Sequence, residues 1–258
     1  MNKVAVITGA SRGIGRELAF VFAKNGFNVV VSSRNEKVLE ELAEEISNKY
    51  GVKALAVKAD VAVREDCMNL IDAAVSSSGR LDVLINNAGV GIYSPVEETE
   101  EEKLRHVFDV NFFGTFYCIK YALPHLKKSM GSIINISSVA GIIPTPFMGG
   151  YSASKFALNA LTEVLRAEVK KHGIHVLLVC PGVIDTDFTE NAYGNYRPKL
   201  KLRGAKPSAL AEKIFDCYKD RKKFLVYPFY YRLMIFAYRM FPSFYGKIGV
   251  KLWKRRES

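Results

Sequence analysis

Short apolar runs alternate with amphipathic helical stretches through most of this 258-residue chain. The runs predict strands at Val4–Thr8, Asn28–Ser32, Lys53–Asp60, Leu81–Gly89, Ser132–Ser138, His175–Gly182 and Phe224–Pro228. Strands that are apolar along their whole length are typical of a parallel sheet covered by helices on both faces. Because crossovers between parallel strands are right-handed, the sequence predicts an α/β fold with a doubly wound parallel sheet of the Rossmann type.

The predicted strands end in polar or glycine-bearing segments, among them TGAS, SSR, NNAG and PG. In a doubly wound sheet, ligands bind in the crevice beyond the carboxyl ends of the strands. These segments are therefore expected to line one crevice. No repeat or linker interrupts the pattern, which indicates a single domain.

The positive charge is concentrated near the C-terminus. Residues 197–258 hold 17 Lys and Arg against 4 Asp and Glu, a net of +13, whereas residues 1–196 hold 20 against 22. The same segment holds 13 of the 30 aromatic residues. We therefore divide the chain into a catalytic body, residues 1–228, and a basic, aromatic extension, residues 229–258.

The four cysteines are widely spaced, at Cys67, Cys118, Cys180 and Cys217. This spacing predicts neither a metal site nor a redox pair. Reduced thiols are the expected state, in a cytoplasmic protein. The N-terminal residues contain no long apolar run, so no signal peptide is expected.

The first predicted strand runs into TGASRGIG, Thr8 to Gly15, which opens a helix. Glycines allow a tight turn and close approach of the backbone to a ligand, and a helix N-terminus attracts phosphate. The spacing G-xxx-G-x-G differs from the G-x-G-x-x-G of many dinucleotide-binding proteins. The alternative is that the glycines only permit a turn.

The second predicted strand ends in Ser32, Ser33 and Arg34. An acidic residue here would bind the ribose hydroxyls of NAD, whereas arginine suits the 2′-phosphate of NADP. Arg12, in the glycine loop, adds a second cation. The pair favours NADP(H), although either arginine alone is also compatible with a solvated surface position.

The motifs of residues 3–188 resemble, in order and spacing, those of the short-chain dehydrogenase/reductase family. Among its members, the chain resembles those of about 250 residues that prefer NADP(H). TGASRGIG resembles the family's cofactor loop, and YSASK its Tyr-xxx-Lys motif. Further matches are Asp60-Val61, Asn86-Asn87-Ala88-Gly89, Asn111, Ser138 and Pro181-Gly182 with Thr186.

The resemblance implies two sets of site residues. The catalytic set is Asn111, Ser138, Tyr151 and Lys155. The cofactor-binding set is Gly9, Ser11, Arg12, Gly13, Ile14, Gly15, Ser33, Arg34, Asp60, Val61, Asn87, Ala88, Gly89, Tyr151, Lys155, Pro181, Gly182, Ile184 and Thr186.

Tyr151 and Lys155 are four residues apart, which places them on one face of a helix. The ammonium is expected to lower the pKa of the tyrosine and make it a usable acid/base. By resemblance, Tyr151 supplies the proton in ketone reduction while Ser138 stabilises the developing oxyanion. Lys155 holds the cofactor ribose, and Asn111 holds a backbone kink and a water behind the lysine.

Two segments are expected to form the substrate site. Residues 184–206 resemble a lid, and residues 141–150 supply apolar Ile142, Ile143, Pro144, Pro146, Phe147 and Met148. An apolar, lipid-like ketone or alcohol is the predicted substrate. The alternatives are that these residues pack under the lid or against another subunit, that the substrate is a 3-oxoacyl thioester, and that the protein is a cofactor-binding sensor or scaffold.

The extension begins with FYYRLMIFAYRMF, residues 229–241. Arg232 and Arg239 are predicted on one helical face, with Phe229, Leu233, Phe236, Met240 and Phe241 on the other. The stretch is too short to span a bilayer, but a basic amphipathic helix can lie on a membrane surface, helped by Lys251–Arg256. The alternatives are packing on the body or a subunit contact.

No nucleic acid is expected, since no reading motif is present. The family resemblance implies a homodimer or homotetramer formed through helices at residues 100–128 and 151–171.

Overall fold

The computed structural model describes residues 2–199 and 203–242, together with the backbone of residues 253–255. The strands are β1 Val4–Thr8, β2 Asn28–Ser33, β3 Ala54–Lys58, β4 Val83–Asn86, β5 Ser132–Ile136, β6 His175–Pro181, β7 Tyr196–Pro198, β8 Phe224–Tyr227 and β9 Trp253–Arg255. The α-helices are α1 Gly13–Lys24, α2 Glu36–Tyr50, α3 Arg64–Ser78, α4 Glu101–Phe108, α5 Thr115–Ser129, α6 Gly149–Val169, α7 Pro207–Lys219 and α8 Tyr231–Met240.

Seven strands form one parallel sheet in the order β3-β2-β1-β4-β5-β6-β8. The doubly wound fold is therefore confirmed, and the predicted seventh strand is β8. The chain leaves β1 toward β2 and β3, and returns to the other side of β1 at β4. This reversal opens a crevice at the carboxyl ends of β1 and β4, where such sheets bind ligands.

Side chains of successive strand residues point to opposite faces of the sheet, and both faces are apolar. In β1, Ala5 and Ile7 join a core cluster with α1, α2 and α7, while Val4 and Val6 join a cluster with α3, α5 and α6. This explains why the strands are apolar throughout rather than alternating with polar residues. The two cores fix the positions of the loops that line the crevice.

The long helix predicted over residues 100–128 is interrupted by a π-helical turn, Asp109–Gly114, between α4 and α5. Gly114 is needed there because a Cβ at this position would lie 2.7 Å from the backbone oxygen of Val61. The wider turn contains Asn111, so the backbone departs from α-helical geometry where the sequence predicted a kink. Within the described residues, no helix is both long and apolar enough to cross a membrane.

The start of the C-terminal extension packs on the body. Tyr231 is buried, and α8 contacts a third apolar cluster that includes Ile143, Leu178 and Val226. Further along, the backbone of β9 pairs with β7 in a two-stranded antiparallel sheet. The predicted membrane role of Lys251–Arg256 lies outside the residues whose side chains the structure describes.

Candidate active site

A cleft of about 2250 Å³ opens at the carboxyl edge of the sheet. It brings together Ser138 and all the residues predicted to bind the cofactor except Gly15. Gly15 lies just beneath the lining, and Asn111 is fully buried behind it. Residues from six separate predicted motifs therefore meet at one site.

Glycines in the loop after β1 are required by close contacts. Gly9 has a left-handed backbone (φ +65°), and a Cβ there would lie 2.8 Å from the Cα of Ala88. At Gly15 a Cβ would approach Nδ2 of Asn87 to 2.5 Å. The Asn87 amide donates to the backbone oxygens of Thr8 (2.9 Å) and Gly9 (3.1 Å), which ties the loop to the end of β4.

The N-terminus of α1 suits a bound phosphate. Arg12 precedes the helix, no side chain caps it, and its first turn contains no acidic residue. The first backbone N–H groups of a helix lack intrahelical partners, and they attract anions. Thr186 packs against this loop, since a Cβ on Gly13 would lie 3.1 Å from Cγ2 of Thr186.

Polar groups at the end of β2 also fit a ligand. Arg12 and Arg34 both line the cleft, as does Ser32. The hydroxyl of Ser32 is buried and has no hydrogen-bond partner. Buried polar groups are rarely left unpaired, so this hydroxyl is available to a bound molecule. These features fit the dinucleotide that the sequence predicts.

Ser138, Tyr151 and Lys155 form a compact group beside the glycine loop. Tyr151 lies in the first turn of α6, and Lys155 follows one turn later, so both point into the cleft. A side-chain hydrogen bond links Ser138 and Tyr151. The Lys155 ammonium donates to the backbone oxygen of Ile136 at 3.0 Å and lies 5.8 Å from the centre of the Tyr151 ring.

Burial controls the protonation of this group. It raises the pKa of Tyr151 well above its usual value; nearby Tyr93 acts in the same direction, and the Ser138 hydrogen bond opposes it. Burial also lowers the pKa of Lys155 to about 8, with a smaller opposing contribution from Cys180. The sequence predicted a lowered Tyr151 pKa, whereas the pKa in the cofactor-free chain is raised, because desolvation of the phenol is the largest cause.

Asn111 supports the site without lining it. Its side-chain oxygen accepts from Val90 N at 2.9 Å, and its amide donates to Val90 O at 2.9 Å and to the Ser154 hydroxyl at 3.0 Å. The π-helical turn aims this side chain at the loop after β4 and at α6. Asn111 therefore holds together the two segments that carry Gly89 and Lys155.

The apolar wall predicted at residues 141–150 requires correction. Met148 lines the cleft, but Ile143 is buried in the cluster beneath α8. Phe147 stacks on Tyr196 of the predicted lid, with ring centres 4.8 Å apart. Ile142, Pro144 and Pro146 also lie outside the cleft lining. Much of this loop therefore packs against α8 and the lid instead of lining the cleft. This agrees with the alternative that these residues pack under the lid.

Other residues supply the apolar wall instead. The Phe188 ring of the lid lies 5.6 Å from that of Tyr151, and buried Tyr93 faces the same space. Tyr231 and Met234 of α8 form the far side. The signal for α8 was present in the sequence as apolar residues three and four apart, whereas nothing local marks Tyr93 or Phe188.

The described residues contain no group of three His, Cys, Asp or Glu placed to hold a metal ion. All four cysteines are buried and free. Ser138, Tyr151 and Lys155 offer hydrogen bonding and proton transfer at the cleft.

A doubly wound sheet with a glycine loop after its first strand and an adjoining Ser-Tyr-Lys group is an arrangement found in oxidoreductases that use a nicotinamide cofactor. The family model described as short chain dehydrogenase matches residues 3–196. The chain belongs to the short-chain dehydrogenase family, as its motifs predicted.

Curated relatives agree with this assignment. The chain is 41% identical to 11-beta-hydroxysteroid dehydrogenase A of Arachis hypogaea over 214 residues, covering 81% of this chain and 61% of that protein. It is 40% identical to a diacetyl reductase ((S)-acetoin forming) of Staphylococcus epidermidis, covering 72% and 73%. The chain thus spans less than two thirds of the plant relative.

Solved structures show the same fold. An alcohol dehydrogenase from Thermococcus sibiricus, complexed with 5-hydroxy-NADP, superposes with a TM-score of 0.81 at 30% identity, covering 88% of this chain and 96% of that one. A short-chain dehydrogenase/reductase from Burkholderia phymatum in complex with NAD gives 0.85 at 25% identity, covering 95% of both.

Proposed function

We propose that this chain is an NADP(H)-dependent oxidoreductase that interconverts a ketone and a secondary alcohol on an apolar, lipid-like substrate. The observation that carries the proposal is the group of Ser138, Tyr151 and Lys155 at the edge of a cleft whose glycine loop fits a dinucleotide. A sensor or scaffold would have no need of this intact proton-donating group.

Each residue of the group has a separate role. The bound nicotinamide supplies the hydride. Ser138 donates a hydrogen bond to the substrate oxygen, and Tyr151 delivers a proton to it. Because burial raises the Tyr151 pKa, the phenol is protonated at neutral pH and ready to act as the acid in ketone reduction. Lys155 is charged below about pH 8 and is positioned to hold the cofactor ribose.

Asn111 acts on this group through Lys155. Its hydrogen bonds join the loop after β4 to α6, where the lysine stands. We assign it the positioning of Lys155 and of a water that returns protons to Tyr151.

The NADP(H) preference rests on Arg12 and Arg34. Both line the cleft, Arg34 directly after β2 and Arg12 at the start of α1, and residues 32–34 include no acid that would repel a 2′-phosphate. Arginine binds phosphate through charge-assisted, two-point hydrogen bonds. The solved relatives include one with an NADP derivative and one with NAD, so the proposed NADP(H) preference is supported by the two arginines and not by these relatives.

The apolar substrate class rests on the rings and alkyl groups that line the far side of the cleft, at Phe188, Tyr231 and Met234. The relatives named as hydroxysteroid dehydrogenase and diacetyl reductase suggest ketones of very different size. A 3-oxoacyl thioester is the second candidate. It is favoured by Arg203, a cation of the lid that lines the cleft and can meet a carrier phosphate.

We further propose a cytoplasmic homodimer or homotetramer. The four buried, free cysteines suit a reducing compartment. The face of α6 turned away from the core exposes Ala153, Phe156, Ala160 and Val164, which share one side of the helix. Such a stripe is the surface expected to meet a second copy.

The function is tested by NADPH oxidation, followed by absorbance, against a panel of carbonyl compounds. The panel holds medium- and long-chain ketones, a steroid ketone, a 3-ketosphingoid base, diacetyl and an acetoacetyl thioester, each repeated with NADH. We expect the apolar ketones to give the highest kcat/KM with NADPH. Preference for the thioester would select the second candidate, and equal use of NADH would overturn the assignment of the two arginines.

A further inference from the structure

Helix α8 has two faces with different surroundings. Its inner face carries Tyr231, Met234, Ile235 and Tyr238, spaced three and four residues apart, and packs on the cluster around Val139 and Leu178. Tyr231, Met234 and Tyr238 of this face also line the catalytic cleft. One side of α8 is therefore a wall of the active site.

The opposite side of α8 is apolar and faces solvent. Phe229, Leu233, Phe236 and Met240 are 68%, 64%, 66% and 58% exposed. Leu233, Phe236 and Met240 fall within one narrow sector of the helix at 100° per residue, and Phe229 lies in the turn that leads into the helix. We call these four residues the outer stripe. A continuous exposed apolar surface of this kind marks an interaction site.

Positive charge accompanies the outer stripe. Arg232 and Arg239, seven residues apart, lie along one edge of it, and both are exposed. The sequence prediction placed them on the face opposite the apolar residues, but the structure puts both sets on the exposed half. Helix α8 contains no acidic residue, and residues 197–258 carry a net charge of +13.

This combination identifies the kind of partner. A basic helix with bulky apolar and aromatic side chains on one surface binds anionic phospholipid, with its axis in the plane of the interface. Ten residues of helix extend about 15 Å, which is too short to cross the hydrocarbon core of a bilayer. A protein partner of similar size would need acidic groups to match the arginines and rings to match the stripe.

We propose that α8 docks on an anionic phospholipid surface through the outer stripe, so that the cleft lined by its inner face opens at the bilayer. The docking proposal is supported by the exposed residues of α8 alone. Delivery of an apolar ketone to the cleft rests in addition on the function proposed above. Leu233 and Phe236 lie outside the cleft lining, so they can be changed without altering the catalytic residues.

The test is flotation of the full chain with two vesicle types, one of phosphatidylcholine alone and one that also contains phosphatidylglycerol. We expect the protein to float with the anionic vesicles, and Leu233→Glu/Phe236→Glu to reduce that binding by about 10-fold or more. Arg232→Gln/Arg239→Gln is expected to reduce it by about 10-fold at low salt and to have no effect with neutral vesicles.

The matched control is Met130→Glu. Met130 is 68% exposed, as Phe229 is, but it lies just before β5, at the edge of the sheet opposite the cleft. The Met130→Glu variant should float with the anionic vesicles as the unaltered protein does. The proposal is overturned if the unaltered protein stays in solution with both vesicle types, or if Met130→Glu weakens binding as much as the stripe variant does.

Two further measurements separate the proposals. If the stripe variant changes the mass in light scattering and the unaltered protein ignores vesicles, a second copy covers α8 and the membrane proposal fails. Turnover of diacetyl, which is water-soluble, should be the same in the stripe variant and the unaltered protein. If the unaltered protein reduces no ketone but still floats, the proposed function fails and the docking stands.

Discussion

Tyr231 lies so close to Gly182 that a Cβ at position 182 would overlap the tyrosine ring, with Cδ2 at 2.5 Å. The Tyr231 hydroxyl also accepts a hydrogen bond from Val183 N at 3.2 Å. Helix α8 is thus fitted against the segment that follows β6. We expect Gly182→Ala to displace the ring and to lower the free energy of unfolding by about 1–3 kcal/mol, measured by urea denaturation.

A double-mutant cycle identifies the cause. Adding Tyr231→Ala removes the overlapping ring, so Gly182→Ala should cost much less in that background. Gly149→Ala is the control, because the nearest atom to its Cβ would be Cγ2 of Val96 at an ordinary 3.7 Å. Equal costs of Gly182→Ala in both backgrounds would show that the close contact is not the source.

The sheet and the catalytic group were predictable from the sequence for physical reasons. A strand covered on both faces must be apolar throughout, and β1 shows this pattern. A residue pair such as Tyr151 and Lys155 is set by helical periodicity alone. The glycine loop was recognisable from its spacing directly after a strand, although the close contacts that require Gly9 and Gly15 include Asn87 and Ala88 of the distant β4 end.

Features that depend on tertiary packing could not be predicted from the sequence. Apolar residues of the loop at 141–150 can face a cleft or a neighbour, and Ile143 is buried in a cluster that β6, β8 and α8 form with it. The direction in which the Tyr151 pKa shifts depends on how completely the folded chain removes water from the phenol. The spacing of residues in the sequence does not reveal this. The same holds for Phe188, which reaches Tyr151 from the lid.

Removing the Tyr151 hydroxyl should abolish proton delivery while preserving the site. We expect Tyr151→Phe to lower kcat by about 100-fold or more, because general acid catalysis contributes at least that much. NADPH binding, followed by fluorescence titration, should change little. Tyr93→Phe, which removes a hydroxyl from a neighbouring tyrosine of the cleft, is the control and should keep most of the activity. Full turnover by Tyr151→Phe would exclude the proposed mechanism.

The exposed stripe of α6 should determine the oligomeric state. We expect Phe156→Glu to convert the assembly to monomers in multi-angle light scattering, because an interface core does not accept an unpaired charge. Met130→Glu adds the same charge at an exposed apolar position elsewhere and should leave the mass unchanged. An unaltered mass for Phe156→Glu would place the subunit interface on another surface.

Arg34 should distinguish the two nicotinamide cofactors. Arg34→Gln removes a charge-assisted hydrogen bond to the 2′-phosphate, so we expect the KM for NADPH to rise by about 10-fold or more while that for NADH stays nearly constant. Arg105→Gln is a suitable control, since that guanidinium pairs with Glu101 on the surface of α4. A parallel rise for both cofactors would mean that Arg34 supports the fold of the cleft rather than reading the phosphate.

Lys155 should make the stability of the cofactor-free chain depend on pH in a defined direction. Its pKa falls from 10.5 to about 8 on folding because the ammonium is desolvated. The unfolded chain therefore binds more protons between these values, and the cost of burying the charge is full below pH 8 and is lost as the pH rises toward 10.5.

We expect Lys155→Met to be inactive, and its unfolding free energy relative to the unaltered chain to decline by about 1–3 kcal/mol between pH 7 and pH 10. The matched control, Lys128→Met, removes an exposed ammonium that has no comparable burial cost to relieve. Urea denaturation at both pH values measures the difference. A difference that is constant with pH would mean that the pKa of Lys155 does not fall on folding, and burial of an uncompensated ammonium would be excluded.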